Sequence, residues 1–168
     1  MIDDLNSCKI KVGEGLMSEI YKKILIATDG SEHSEHTVEY GVELARLSGA
    51  RLYAVYVIDT AAFASIPMDA GWEMMYSLLQ EEGRKATQSI EDMAGETEVQ
   101  VEQVMLDGHP AHEIIDFANK NDIDVIIMGT HGKSGLDRFL LGSVTEKVIR
   151  SSNIPVFVVR TPSDKKEE

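Results

Sequence analysis

Between Lys23 and Val159 the chain alternates short apolar runs with longer stretches of helical period. Ile24-Leu25-Ile26-Ala27 is too short for a helix and closes at the turn-forming Asp29-Gly30-Ser31, so it predicts a buried strand. Ser31 is placed to cap a helix in which Val38, Gly41, Val42 and Ala45 recur at three- and four-residue intervals until Gly49. Leu52 to Ile58 predicts a second strand. From Asp59 an irregular connector runs through Pro67 and Gly71, longer than a plain link and of the kind that carries function or moves. A long helix follows from Trp72 to Ala94, with Leu79, Gly83, Ala86, Ile90 and Met93 on one face and acids on the other. Val99 and Val101 alternate before the phase shifts to Val104 and Leu106, which predicts an edge strand with a bulge. Pro110 opens a helix whose inner stripe is Ala111, Ile114, Ile115 and Ala118. Val125-Ile126-Ile127-Met128, wholly apolar, predicts a central strand. Ser143 and Glu146 have capping-box spacing at the start of a helix carrying Val148 and Ile149, and Val156-Phe157-Val158-Val159 is the last strand.

Five strands alternating with four helices argue for a parallel sheet covered by helices on both faces. At 168 residues and 43% hydrophobic the chain has the size of one domain and needs no disulfide or metal staple. Residues 1–20 read as an extension, loose over its first sixteen positions, and residues 162–168 as a charged tail around a domain spanning 21–161. Sixteen basic against 29 acidic residues give a formal charge of -13, which opposes binding to nucleic acid or an anionic membrane. The single cysteine, Cys8, excludes an internal disulfide and a multi-cysteine zinc site and fits a reducing compartment. No run reaches the ~18 apolar residues of a membrane span, and Met1-Ile2-Asp3-Asp4 lacks the start of a secretory signal. The expectation is a cytoplasmic protein.

In an open parallel sheet, ligands bind beyond the C-terminal strand ends where connections diverge, which singles out Asp29, Val57 to Asp59 and the loop after Met128. That loop, Gly129 to Gly142, holds four glycines and leads into the helix at Ser143. Glycines let backbone N–H groups approach phosphate oxygens, and a helix start offers unpaired N–H groups with about half a positive charge; alternatively, the glycines only shape a turn. Charge is distributed to match a small anion there: residues 73–102 carry a net -6, whereas 129–150 carry +2 from Lys133, Arg138, Lys147 and Arg150 against Asp137 and Glu146. Lys133 and Arg138 can assist phosphates or remain solvated. Gly132-Lys133-Ser134 is not a P-loop, because that pattern requires glycine where the chain has Ile127. His33 with His36, and His109 with His112, have metal-compatible spacing but no further ligands, so exposed helix histidines are the simpler reading. His131 can touch a phosphate, act in proton transfer or serve the turn, and no catalytic residue is assigned.

The spacing Gly129-x2-Gly132-x9-Gly142-Ser143 resembles the nucleotide-binding signature of the ATP-binding branch of the universal stress protein family. Met128-Gly129-Thr130-His131-Gly132 and Leu141-Gly142-Ser143-Val144-Thr145-Glu146 are similar to its wording, as are Lys23 to Ser31 and Pro155 to Val159 to its first and last strands. The resemblance covers Tyr21 to Arg160. It implies a doubly wound α/β fold of strand order 3-2-1-4-5, ATP binding and homodimerisation through the last strand. It places adenine against Ala27 and the backbone of Val57, ribose near Asp29 and Gly129, phosphates at Gly132, Gly142, Ser143, Val144 and Thr145, and Met128 along the pocket. The chemistry agrees: the Asp29 carboxylate can accept from hydroxyls or contact a cation, and Ser143 and Thr145 hydroxyls can donate to phosphate or ligate Mg2+. Asp29 can also be a turn residue capping the next helix, and Val57 and Met128 plain core.

The implied function is a nucleotide-dependent switch or sensor in stress response, with at most slow ATP hydrolysis and Mg2+ held through the phosphates. Binding would order the Asp59 to Gly71 connector and the Gly129 loop, giving a partner something to read. The alternative is an ATP-hydrolysing or nucleotidyl-transferring enzyme of the same fold, with His131 its one tempting base. Val156 to Val159, β-forming and uncharged, gives an independent argument for edge pairing into a homodimer. Deletion of residues 1–16 is expected to leave folding and ligand binding intact, and a large drop in melting temperature would show that the segment belongs to the core.

Overall fold

The computed structural model of the chain describes residues 20–31, 34–63, 70–95, 97–130, 132 and 141–160. The expected extension, apart from Ile20, and the charged tail lie outside the described residues, as do His33 and Pro67. The chain runs β1 (Lys23–Ala27), α1 (Glu35–Ser48), β2 (Arg51–Ile58), a short 3-10 turn (Thr60–Phe63), α2 (Ala70–Ala94), β3 (Val101–Asp107), α3 (Pro110–Lys120), β4 (Val125–Gly129), α4 (Ser143–Ser151) and β5 (Val156–Val159). The strands form one five-stranded parallel sheet in the order β3-β2-β1-β4-β5.

Alternation along the three inner strands explains why both faces are covered. Ile24, Ile26, Leu52, Ala54, Val125 and Ile127 point into one cluster with Val38, Val42 and Ala45 of α1 and Ile90 and Ala94 of α2. Leu25, Tyr53, Val55, Ile126 and Met128 point into the other with Ala111, Ile114 and Ala118 of α3 and Val148 of α4. A strand that is apolar at every position fits only between two helical layers. Gly41 belongs to this packing, since a side chain there would strike Ile26.

Three local readings are corrected. β3 is an edge strand, but it pairs with β2 one for one from Leu52–Val101 to Ile58–Asp107, with no bulge. The apparent phase shift arises because Val99 and Val101 pack on the first cluster and Val104 and Leu106 on the second, so the strand's apolar residues change face without an inserted residue. Ser31 does not cap α1: the helix starts at Glu35, its preceding residue Ser34 makes no side-chain capping bond, and Ser31 bonds back to Asp29. The box of Ser143 and Glu146 is not formed either. Gly142 occupies the cap position and Ser143 is already helical, while Glu146 pairs with Arg150 at 2.8 Å. Gly49 does end α1 as expected, in the left-handed region at φ +66°.

No helix among the described residues is long and apolar enough to cross a membrane. Ile26, fully buried against α1, is expected to destabilise the fold by about 2–5 kcal/mol when replaced by Ala, measured by urea unfolding.

Candidate functional site

The chain moves outward from β1 through β2 to β3, then returns to pair β4 with β1 and continues to β5. The segments leaving β1 and β4 therefore part company, and a cavity of about 460 Å3 opens at the C-terminal ends of β1, β2 and β4. Ala27, Asp29, Val57, Met128, Gly129, Gly132, Gly142, Ser143, Val144 and Thr145 all line it. His131, Lys133 and Arg138 lie outside the described residues.

The cavity has an apolar side and a polar side. Val57, Met128, Pro110 and Ile114 contribute the apolar walls of the α3 face, and Phe63 and Leu79 add apolar surface from the 3-10 turn and α2. Backbone groups near Val57 also become accessible for a geometric reason. Thr28 N–H donates to Val55 O at 3.0 Å, which fixes the side of β2 that Val55 presents to β1. Strand backbones alternate sides, so Val57 turns its N–H and C=O the same way, beyond the point where β1 has ended at Ala27.

The polar side is built from the turn after β1 and the start of α4. Asp29 Oδ1 accepts from Ser31 N–H at 3.1 Å and Ser31 Oγ–H at 2.7 Å, so the carboxylate anchors its own turn. Gly30, at φ +74°, supplies the reversal within that turn. A Cβ at Gly132 would stand 2.5 Å from Asp29 Oδ2, so only glycine lets the loop after β4 approach the carboxylate this closely. The far end of the loop is fixed by Gly142 N–H donating to Thr130 O at 2.8 Å. The first intrahelical bond of α4 is Glu146 N–H to Gly142 O, also 2.8 Å, which leaves the N–H groups of Ser143, Val144 and Thr145 without intrahelical acceptors. All three residues line the cavity, where the helix start contributes about half a positive charge.

Thr145 takes a different part from the one expected of its hydroxyl. It is 6% exposed, and Oγ1–H donates to Gly129 O at 2.9 Å, tying the end of β4 to the first turn of α4. Its proton is thus directed away from a ligand, and its backbone N–H remains for an anion.

Sequence reasoning missed the contributions from outside the strand ends and the glycine loop. Pro110, at the first turn of α3, and Ile114, on its inner stripe, sit about one turn apart, a spacing visible in the sequence, but nothing local says that this turn overlooks the cavity. Leu79 arrives because α2 lies very close to the sheet one turn later: a Cβ at Gly83 would be 2.5 Å from both the Tyr56 ring and the Met105 methyl. At the same end of α2, Tyr76 O–H donates to Asp107 at 2.8 Å, a bond that holds the phenol proton and raises the Tyr76 pKa.

A larger hollow, about 700 Å3, lies at the opposite end of the sheet beside Lys22, Arg46, Arg51 and Glu98. It meets the C-terminal end of α1, whose dipole repels anions, and two of its cations are engaged, Arg46 with Glu43 at 2.6 Å and Arg51 with Glu102 at 2.9 Å. Among the described residues no cluster of three or more His, Cys, Asp or Glu could hold a metal. His36 contacts Glu39 at 3.0 Å and His112 lies 3.5 Å from Glu113, both at the surface.

Comparison with known proteins agrees with this architecture. The model of the universal stress protein family matches residues 20–160. The universal stress protein MJ0531 of Methanocaldococcus jannaschii is 45% identical over 158 residues, covering 94% of this chain and 90% of that one. The solved structure of MJ0577 superposes with a TM-score of 0.74 at 35% identity, over 85% of this chain and 98% of that one. A universal stress protein from Archaeoglobus fulgidus, solved in complex with dAMP, superposes with a TM-score of 0.58 at 26% identity, over 83% and 98% of the two chains. With the 3-2-1-4-5 parallel sheet and the family model matching nearly the whole described fold, the chain belongs to the universal stress protein family.

Proposed function

We propose that the cavity binds an adenine nucleotide, ATP accompanied by Mg2+, and that the bound state acts as a switch or sensor in a stress response. The observation that carries this reading is the convergence of an apolar slot at Val57 and Met128 with the start of α4, inside one cavity. A base needs the first and a phosphate tail the second. The dAMP complex of the Archaeoglobus fulgidus relative supports an adenine ligand.

In this reading the adenine lies against Ala27 and the backbone of Val57, and the ribose near Asp29 and Gly129. The phosphates meet Gly132, Gly142 and the N–H groups of Ser143, Val144 and Thr145. Mg2+ fits as a companion of the phosphates, with the Ser143 hydroxyl and the Asp29 carboxylate the oxygen donors at hand. Such a cation would neutralise phosphate charge in a chain whose own total is -13. The single Cys8 supports a cytoplasmic setting.

The same reading includes a homodimer through Val156–Val159. β5 pairs with β4 on one side and, among the described residues, with no strand on the other, and Phe157, in its middle, is 49% exposed.

Isothermal titration with Mg-ATP is expected to show binding at submillimolar nucleotide, and absence of heat and of thermal protection at millimolar nucleotide would overturn the reading. Gly142→Val is expected to weaken ATP binding by more than about tenfold, about 1.4 kcal/mol, while the circular dichroism spectrum is retained. The cap position at φ -57° accepts any residue, so the variant tests phosphate approach rather than backbone strain. Analytical ultracentrifugation at micromolar protein is expected to show a dimer, which Phe157→Asp shifts toward monomer; a monomeric wild type would refute the edge pairing.

A further inference from the structure

Met105 stands where the edge strand, the long helix and the cavity meet. It lies on β3, paired with Tyr56 of β2 in the parallel register, and both side chains face α2. The helix crosses them at Gly83, where a Cβ would stand 2.5 Å from the Met105 methyl, 2.9 Å from its sulfur and 2.5 Å from the Tyr56 ring. Thioether and ring therefore meet bare helix backbone, an apolar contact that suits a polarisable sulfur beside an aromatic ring. Tyr56 is buried and lines the cavity, as does Leu79, one turn before Gly83 on α2. Met105 is not among the lining residues, and it is 38% exposed, whereas Met128 inside the cavity is 4% exposed. A small dissolved oxidant thus has access to Met105 and little to Met128.

We propose that Met105 is a peroxide-sensitive modification site whose oxidation to the sulfoxide lifts α2 from the edge of the sheet and opens the cavity wall. The sulfur lone pair attacks one oxygen of hydrogen peroxide. The S–O bond forms as the O–O bond breaks, the second oxygen leaves with both protons as water, and sulfur loses the two electrons that the peroxide gains. The contact at Gly83 has no room for the product. Where a methyl group on the helix already overlaps the sulfur, an oxygen on the sulfur overlaps the helix; turned outward, its dipole draws water against a contact that was apolar. Either course parts α2 from β3, and Tyr56 and Leu79 lose the packing that sets them at the cavity. Sulfoxide reductases return the thioether, so the change is reversible. The displacement of α2 stands on this contact alone, and its consequence, weaker nucleotide binding by the oxidised protein, rests on the adenine-nucleotide reading above.

The test treats the full-length wild type and Met105→Leu with a graded series of hydrogen peroxide and locates sulfoxides by peptide mass spectrometry. Hydrogen exchange over α2 and Mg-ATP affinity by titration are then read on each sample. Leucine conserves volume and cannot take the oxygen. As Met105 is converted, exchange over α2 is expected to rise and Mg-ATP affinity to fall by about tenfold or more in the wild type, and a sulfoxide reductase should restore both. Met105→Leu at the same dose should keep both, although it still carries Met74, 69% exposed, and the half-buried Met75 and Met93 on α2. If the leucine variant does not fold, the wild-type series decides: both readouts should follow the fraction of Met105 sulfoxide and not that of Met74 sulfoxide. Met105 left unoxidised when Met74 is fully converted, Met105 converted without a rise in α2 exchange, or equal losses in the leucine variant overturns the inference. A rise in α2 exchange with unchanged affinity overturns the coupling to the nucleotide. An untreated wild type that binds no Mg-ATP removes the adenine reading, and exchange over α2 then judges Met105 by itself.

Discussion

The parallel pairing of β1 with β4 sets Ile24, Leu25 and Ile26 beside Val125, Ile126 and Ile127 and joins two halves of a sheet that grow in opposite directions. All six side chains are buried, alternately under α1 and under the α3 and α4 layer, so hydrophobic burial on both faces holds the pairing. Because the next segments leave toward opposite faces, the strand ends cannot be closed over by the same connection. The cavity is the geometric residue of that divergence, and the elements that furnish it, the Asp29 turn and the start of α4, are those that follow the two paired strands.

Around this opening, short polar bonds do what apolar packing cannot. Thr145 ties α4 to the end of β4, Gly142 closes the intervening loop onto Thr130, and Thr130 N–H in turn donates to Val159 O of β5 at 3.0 Å. The helix start is thereby held against the sheet, and its unpaired N–H groups keep a fixed aim, which is the requirement for recognising an anion without reorganisation. On the other side Gly83 allows α2 to settle against Tyr56 and Met105, which brings Leu79 to the cavity wall.

The strands and helices were legible because burial leaves a period in the sequence. The apolar runs of β1, β2 and β4, the stripe of α3 and the left-handed stop at Gly49 each follow from local chemistry. The strand order came from the resemblance to a family, since every parallel order of these strands shares the same period. Hydrogen-bond partnership was less legible still. Ser31 and Ser143 both have the composition of helix caps, yet Ser31 is drawn to Asp29 and Ser143 lies one residue inside its helix. The shift from Val101 to Val104 resembled a bulge because a sequence cannot say that one end of an edge strand faces one helical layer and the other end the opposite one.

The sequence by itself determined where the glycines, the turn carboxylate and the helix start occur, and so which residues were candidates for a nucleotide. Local rules suffice for that, because φ preference, burial period and donor type belong to single residues and their near neighbours. Only the tertiary structure decided that these candidates share one cavity, that Pro110, Ile114, Phe63 and Leu79 complete its walls, and that the Thr145 proton belongs to Gly129. Those outcomes depend on how far a helix can approach a sheet and on which acceptor lies nearest once the strands have paired. Both are set by contacts between residues far apart in the chain.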